Sequence, residues 1–284
     1  MANETTTTTL NDLTQALIAE ARMVLSQGVN LADYVTRRPL QPGKSGVLFP
    51  KYGSVTAAAV AEGTDLSNTA VSTSGVTITP TERGIMTTVS DLADFESNPG
   101  QVGADIGKLF GGALRDLRNQ DIYNQFDSFG TAVGTTNTDI TEAVILSAVR
   151  SLLNSQAPRP YYMAVTPHVL EDLLTIYSTN SNFTSTEIRN QALDSGVLPP
   201  IYGVQPLVID NLAAGSGTGG ADEADTKTAM WSPAAIGLVE GYDIRIETQR
   251  DASIRGYEIV ATSFYAVGEI EDVFGVEMLL DNAD

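Results

Sequence analysis

The residues that could carry chemistry are few and scattered. GSGTGG at 215–220 matches G-x-G-x-x-G letter for letter. That fingerprint binds a pyrophosphate only when a strand precedes it and a helix N-terminus follows. Here ADEADTK follows, and Asp222, Glu223 and Asp225 would repel a phosphate, so the stretch reads as a surface loop. The same three carboxylates do not have the spacing of a calcium loop. His168 is the only histidine, placed after Thr166 and Pro167 at the start of a helix. A lone imidazole becomes a general base when a nucleophile accompanies it. The chain has no G-x-S-x-G, Walker or H-E-x-x-H motif and no cysteine. Glu269, Glu271 and Asp272 read as a solvated face, and Asn182-Phe183-Thr184 as a glycosylation triplet without use in a cytoplasmic chain. No cofactor, metal or catalytic site is expected.

Composition narrows the partners. With 16 basic against 35 acidic side chains, the net charge is −19. Such a surface repels nucleic acid and anionic lipid. Without cysteine there is no disulfide framework or thiolate metal site. No run approaches the ~18 apolar residues of a membrane span, and MANETTTTTL has neither a basic start nor an apolar stretch of the secretory kind.

Several elements are legible. Residues 1–9 form a Thr-rich arm that is expected to be held by something outside the monomer. Leu13, Leu17, Ala21, Val24 and Leu25 predict a helix from Asn11 to Gln27, ended by Gly28. Asn98 and Pro99 cap a helix that runs to about Phe129, roughly 30 residues or ~45 Å. Ile106, Phe110, Ala113, Leu114 and Leu117 form its stripe, and Gly103, Gly107 and Gly111 fall four apart, as if another backbone crossed there. Asp139 with Glu142 predicts a capping box for a helix over 140–155, with Val144, Ile145, Ala148, Val149 and Leu152 inward. Tyr161 to Val165 is a buried strand, followed by a helix over 167–177 and, after a cap at Thr184 and Glu187, a short helix ending at Gly196. GVQPLVIDNL and MWSPAAIGLVEG are two further buried strands. YDIRIETQRD, GYEIVATSFYAVGEI and VFGVEMLL alternate with period two, as in an antiparallel sheet with one wet face.

The stretch VAEGTDLSNTAVSTSGVTITPTERG, 60–84, has an unusual shape. VLFPKYGSVTAAAV leads out and VTITPTERGIMTTVSDLA leads back, so 47–90 predicts a hairpin, with Pro80 marking an edge or bulge. Over 60–84 Val71, Val76 and Ile78 are almost its only large apolar side chains. A ribbon this polar buries too little to offset ordering its own backbone. It becomes stable when a neighbour supplies the missing face.

This order of elements resembles the major capsid protein of tailed viruses, bacteriophage or archaeal, with the Hong Kong 97-type fold. EGTDLSNTAVSTSGVTITPTERG followed by TTVSDLADF resembles the extended loop of that family, and ALRDLRNQDIYNQF its spine helix. GVLPPIYGVQPLVIDNL, MWSPAAIGLVEGYDIRIE and YEIVATSFYAVGEIEDVFGVEML resemble its axial strands and closing peripheral sheet. The resemblance implies an α+β fold. An N-terminal arm would occupy 1–30, and a peripheral domain 31–46 and 91–134, with the spine over about 98–129. The extended loop would be 47–90 and the axial domain 135–242, with strands 243–284 returning to the peripheral domain. It implies self-assembly as hexamers and pentamers into an icosahedral shell around double-stranded DNA, in the virion capsid after synthesis in the host cytoplasm. Expected partners are a separate scaffolding protein, a portal, possibly a cement or decoration protein, and DNA held without sequence-specific contacts. No membrane is involved.

Inter-subunit contacts are expected at Glu62, Asp65, Val71, Val76, Ile78, Arg83, Arg115 and Arg118. About thirty residues precede the body, so cleavage of this chain is not expected; neither is a covalent crosslink from Lys44 or Lys51. Two other readings stay open: an encapsulin-like compartment around cargo, and an α/β hydrolase or binding protein.

Overall fold

The computed structural model describes residues 29–53, 55–65, 68–92, 101–135, 138–179, 200–209 and 225–281. The predicted helix at 11–27, the cap at Asn98 and Pro99, the short helix ending at Gly196 and the GSGTGG loop lie outside these. So do the glycosylation triplet, Asp222 and Glu223.

In chain order, β1 spans Thr36–Pro39, β2 Val47–Tyr52, β3 Thr73–Ile78 and β4 Thr81–Ser90. Helix α1 spans Gln101–Tyr123, β5 Ala132–Gly134, α2 Glu142–Asn154, β6 Tyr161–Val165 and α3 Pro167–Thr179. The chain closes with β7 Val204–Val208, β8 Asp225–Trp231, β9 Ile236–Asp251, β10 Gly256–Glu269 and β11 Gly275–Asp281. Three sheets result, in the orders β1-β9-β10-β4, β5-β11-β8-β6-β7 and β2-β3.

In the four-stranded sheet β9, β10 and β4 are antiparallel and β1 runs parallel to β9. Ile244 and Ile246 are buried while Arg245 and Glu247, which alternate with them, are exposed. The alternation gives one dry face. Phe110 and Leu114 of α1 cover it, packing on Ile244, Ile246, Ile259 and Ala261. Gly107 and Gly111 lie on the same buried side of the helix. Ala113 and Leu117, expected in the stripe, are exposed instead, because the covered arc centres on Phe110, Leu114 and Arg118.

The five-stranded sheet is covered on both faces, which is why its strands read as continuous apolar runs. Tyr161, Met163 and Val165 point to one side, against Ile145, Ala148 and Leu152 of α2 and Val169 and Leu173 of α3. Ala164, Leu207, Ala229 and Trp231 point to the other, where Ile122 of α1, Phe126 and Phe129 meet Leu31 and Ala32. The Trp231 indole donates to the Tyr34 carbonyl at 3.0 Å, so its buried N–H is satisfied. Gly275 lets the Phe129 ring in: a β-carbon there would lie 2.2 Å from it.

Five further expectations are corrected. Helix α1 ends at Tyr123, and a 3-10 turn at Phe126–Ser128 tucks Phe126 and Phe129 into the aromatic cluster. The cap of α2 is Thr141, whose hydroxyl accepts from the Val144 amide, rather than Asp139. MWSPAAIGLVEG is two strands: Trp231 ends β8, Ser232 turns by bonding the Pro158 carbonyl at 2.7 Å, and β9 starts at Ile236. The return limb of the hairpin is split at Pro80. Only β3 pairs with β2, while β4 pairs with β10, Thr81 opposite Tyr265. Finally, β11 leaves the peripheral sheet and pairs with β8 and β5, so 275–281 closes the other layer. Period two tells which side chains share a face; it does not tell which strand lies alongside.

Candidate assembly surface

The β2–β3 hairpin belongs to neither large sheet. Its root is apolar and anchored. Phe49 and Ile78 are buried with Val239, and Leu40, Val47, Val76, Ala266 and Ile270 pack around them. Ile78 rests on two glycines that face each other across β9 and β10, Gly237 and Gly268. A β-carbon on either would meet the Ile78 side chain at 3.0 or 3.1 Å. The Arg38 guanidinium covers the Phe49 ring at 4.8 Å, and Lys51 Nζ reaches Glu271 at 3.2 Å. Glu271, left as solvated surface by the sequence reading, therefore ties the hairpin to the body.

Beyond the root the ribbon opens. The Gly53 amide donates to the Ser72 carbonyl at 2.8 Å, and past it no strand is formed among the described residues of 55–72. A turn at Ala61–Thr64 is closed by the Thr64 amide on the Ala61 carbonyl at 3.2 Å. Leu48, Tyr52, Val55, Val60 and Val71 are all exposed, Tyr52 by 73%.

The expected contact residues separate by position. Glu62, Asp65 and Val71 stand exposed on the projecting loop. Val76 is half-buried beside the root, and Ile78 is 5% exposed, so its side chain is used inside its own chain. Arg118 is likewise internal. It is 3% exposed, bonds Glu240 at 3.3 Å and Asp243 at 2.5 Å, and lies over the Tyr265 ring at 5.4 Å. Burying a guanidinium requires partners on several sides, and its own sheet supplies them. Arg115 bonds its neighbour Asp116 at 2.9 Å, and Arg83 lies 3.7 Å from Asp121. Leu48, Tyr52, Val55 and Val60 were missed by the sequence reading. The signal for two of them was present: in VLFPKY, Leu48 and Tyr52 share a face opposite Phe49.

A polar pocket of about 170 Å³ lies where the chain leaves the hairpin, lined by Thr81, Arg83, Asp121, Asn124, Gln125 and Tyr265. The Tyr265 hydroxyl donates to Asp121 at 2.9 Å. Burial, with the Asp121 charge beside it, pushes that hydroxyl far above its ordinary value, so it stays a donor. Arg83, Asp121 and Tyr265 of this lining hold one another. His168 Nδ1 lies 3.7 Å from Asp172 on the first turns of α3. Among the described residues no cluster of His, Asp and Glu is arranged for a metal, and no helix is long and apolar enough to cross a membrane.

Comparison with known proteins agrees with this geometry. A family model described as phage capsid protein matches residues 72–276. No curated protein sequence matches. Among solved structures, that of Mycobacterium phage Che8 is similar with a TM-score of 0.68 at 21% identity, covering 89% of this chain and 91% of that one. The capsid of cyanophage Pam1 gives 0.70 at 11%, covering 90% and 93%. A virus-like particle from Pyrococcus furiosus gives 0.58 at 12%, covering 93% and 98%. The architecture is the Hong Kong 97-type fold of major capsid proteins, and the family match gives the chain a structural role in the virion capsid. With its anchored root, projecting ribbon and two-layer body, the chain belongs to the phage capsid protein family.

Proposed function

We propose that the protein assembles as hexamers, with pentamers at the vertices, into an icosahedral shell enclosing double-stranded DNA. In that shell the loop between β2 and β3 lies on the neighbouring copy. The observation that carries this reading is the hairpin itself. It is fixed at its root by Phe49 and Ile78, joined to no other sheet, and exposes Leu48, Tyr52, Val55, Val60 and Val71. Burial of such side chains against a partner is worth ~1.5–3 kcal/mol each. Glu62 and Asp65 on the same loop would meet cations of the neighbour, each exposed pair adding ~0.2–1 kcal/mol. Arg83 and Arg115, partly exposed, would be cations of the same role on this chain.

The charge of −19 supports the contents. A negative lining repels phosphate, so packaged DNA is held without sequence-specific contacts and remains free to slide. Scaffolding and portal would be separate proteins, and a cement or decoration protein would be a further partner. The chain would be made in the host cytoplasm.

Replacing 55–72 by a short Gly-Ser turn, with Phe49 and Ile78 kept, tests the reading. The expected product is a folded chain that forms no shells in electron microscopy. Normal particles from this deletion would overturn the role given to the loop. Digesting intact particles and identifying their contents separates a DNA shell from a cargo compartment.

A further inference from the structure

We propose that two copies of this chain join along the free edge of β4, pairing antiparallel about a two-fold axis at Thr87. The two large sheets have four edges, and three of them are blunted. β1 has four residues and ends in Pro39, β5 has three residues, and β7 carries Pro206 at its centre. Short edges and proline discourage a further strand. The fourth edge, β4, has ten residues without proline or lysine. Its Ile85, Thr87, Thr88 and Val89 are of the types that strands favour. β10 pairs with one side of it, and no described strand pairs with the other. An edge this long, with Met86 60% exposed on it, is a template for another strand.

The occupant follows from the order of side chains along this edge. Arg83 and Asp91 stand at its opposite ends, and both are partly exposed. Arg83 reaches Asp121 only at 3.7 Å, beyond hydrogen-bond distance, so its guanidinium is weakly held. Asp91 lies one residue past β4 and still follows the ladder, its amide donating to the Arg255 carbonyl at 2.8 Å. A second copy laid antiparallel, with Thr87 on the axis, brings Arg83 opposite Asp91 of that copy, at both ends. Ile85 then faces Val89, and Thr87 faces its own counterpart. Opposite charges, two apolar side chains and two threonines are each pairs that stabilise a sheet. The alternation is kept as well. Ile85 and Val89 pack on the cluster of Phe110 and Leu114, so both copies turn the same face to their helices. A parallel, in-register arrangement would set Arg83 against Arg83. A slip of one residue would set the dry face of one copy against the wet face of the other. The pairing needs two copies only, so it holds whether or not they close into a shell.

The chain has no cysteine, so a single introduced thiol reports only on contacts between copies. Opposite residues of an antiparallel pair hold their β-carbons ~4.5–5.5 Å apart, whereas diagonal ones stand ~7–8 Å apart, out of disulfide reach. In concentrated full-length protein under mild oxidation, Thr87→Cys is expected to form a covalent dimer about ten times faster than Met86→Cys. Random collision predicts the reverse order, because Met86 is the more exposed of the two. A second measurement uses charge. Arg83→Asp and Asp91→Arg, each made in the Thr87→Cys background, put like charges at both ends of a pair of identical copies and opposite charges at both ends of a mixed pair. Either variant alone is expected to lose dimer yield by about tenfold, and an equimolar mixture to recover it as the mixed species. No dimer from Thr87→Cys, or one that forms no faster than from Met86→Cys, would overturn the proposal. A mixture that does not favour the mixed dimer would overturn the register that identifies the second copy as the occupant.

Discussion

The five-stranded sheet and the β2–β3 hairpin are made of the same material and end differently. The sheet has Tyr161, Met163 and Val165 against two helices, and Ala164, Ala229 and Trp231 against an aromatic cluster. The hairpin has Phe49 and Ile78 covered at its root, and the described residues of 55–72 stand in water. Both are strands with apolar side chains. The difference lies in how many faces the chain itself can close. A region that closes all its faces contributes stability to the monomer; one that leaves a face open can contribute only when another surface arrives.

That contrast can be broken by substitutions graded in their effect on the single chain. Trp231→Ala should be the most damaging, destabilising by ~3–5 kcal/mol, because it empties the core and orphans the Tyr34 carbonyl. Denaturant unfolding of the soluble protein would measure it, and a loss below ~1 kcal/mol would mean that this side of the sheet repacks freely. Ile78→Ala should follow at ~2–4 kcal/mol, felt as loosening of the root. Faster amide exchange in β2 and β3 with little change in β6 would be the signature. Tyr52→Asp and Val71→Asp should leave monomer stability within ~0.5 kcal/mol, since both sites are exposed. The same variants should form no shells, and particles of normal yield would erase the distinction between root and loop.

The smallest effect concerns the far end of the four-stranded sheet. The Arg250 guanidinium bonds Asp91 and holds its carboxyl below the ordinary 3.8. A lowered folded-state pKa means that the contribution is complete above 3.8 and is lost as the pH falls through the folded value. Asp91→Asn should therefore lower the melting temperature slightly at neutral pH, and its difference from the parent should vanish as the pH falls below about 4. A difference confined to acid pH would contradict this assignment.

The helices and buried strands were legible because their patterns are local. Tyr161–Val165 appears with the predicted bounds, and α2 buries Ile145, Ala148, Val149 and Leu152 as read. Misreadings arose where two local signals compete. Thr141 and Asp139 are both cap residues, and only the turn of α2 that forms chooses between them. The exposure of the expected contact residues was legible in part. Glu62, Asp65 and Val71 fall on the projecting loop, while Arg118 could be seen as a charge but not as a buried one. Its partners Glu240 and Asp243 lie more than a hundred residues away.

Periodicity, charge and element order thus determined the element types, the family and the existence of an arm that lacks a core of its own. Three matters were decided only by the tertiary structure. The arm splits at Pro80, so that one limb stays a ribbon and the other enters the sheet. Strand β11 crosses to the second layer. Ile78 is consumed at the root, seated on Gly237 and Gly268. The reason is common to all three. A side-chain pattern records which face of a strand must be dry, whereas the surface that dries it is set by partners distant in sequence.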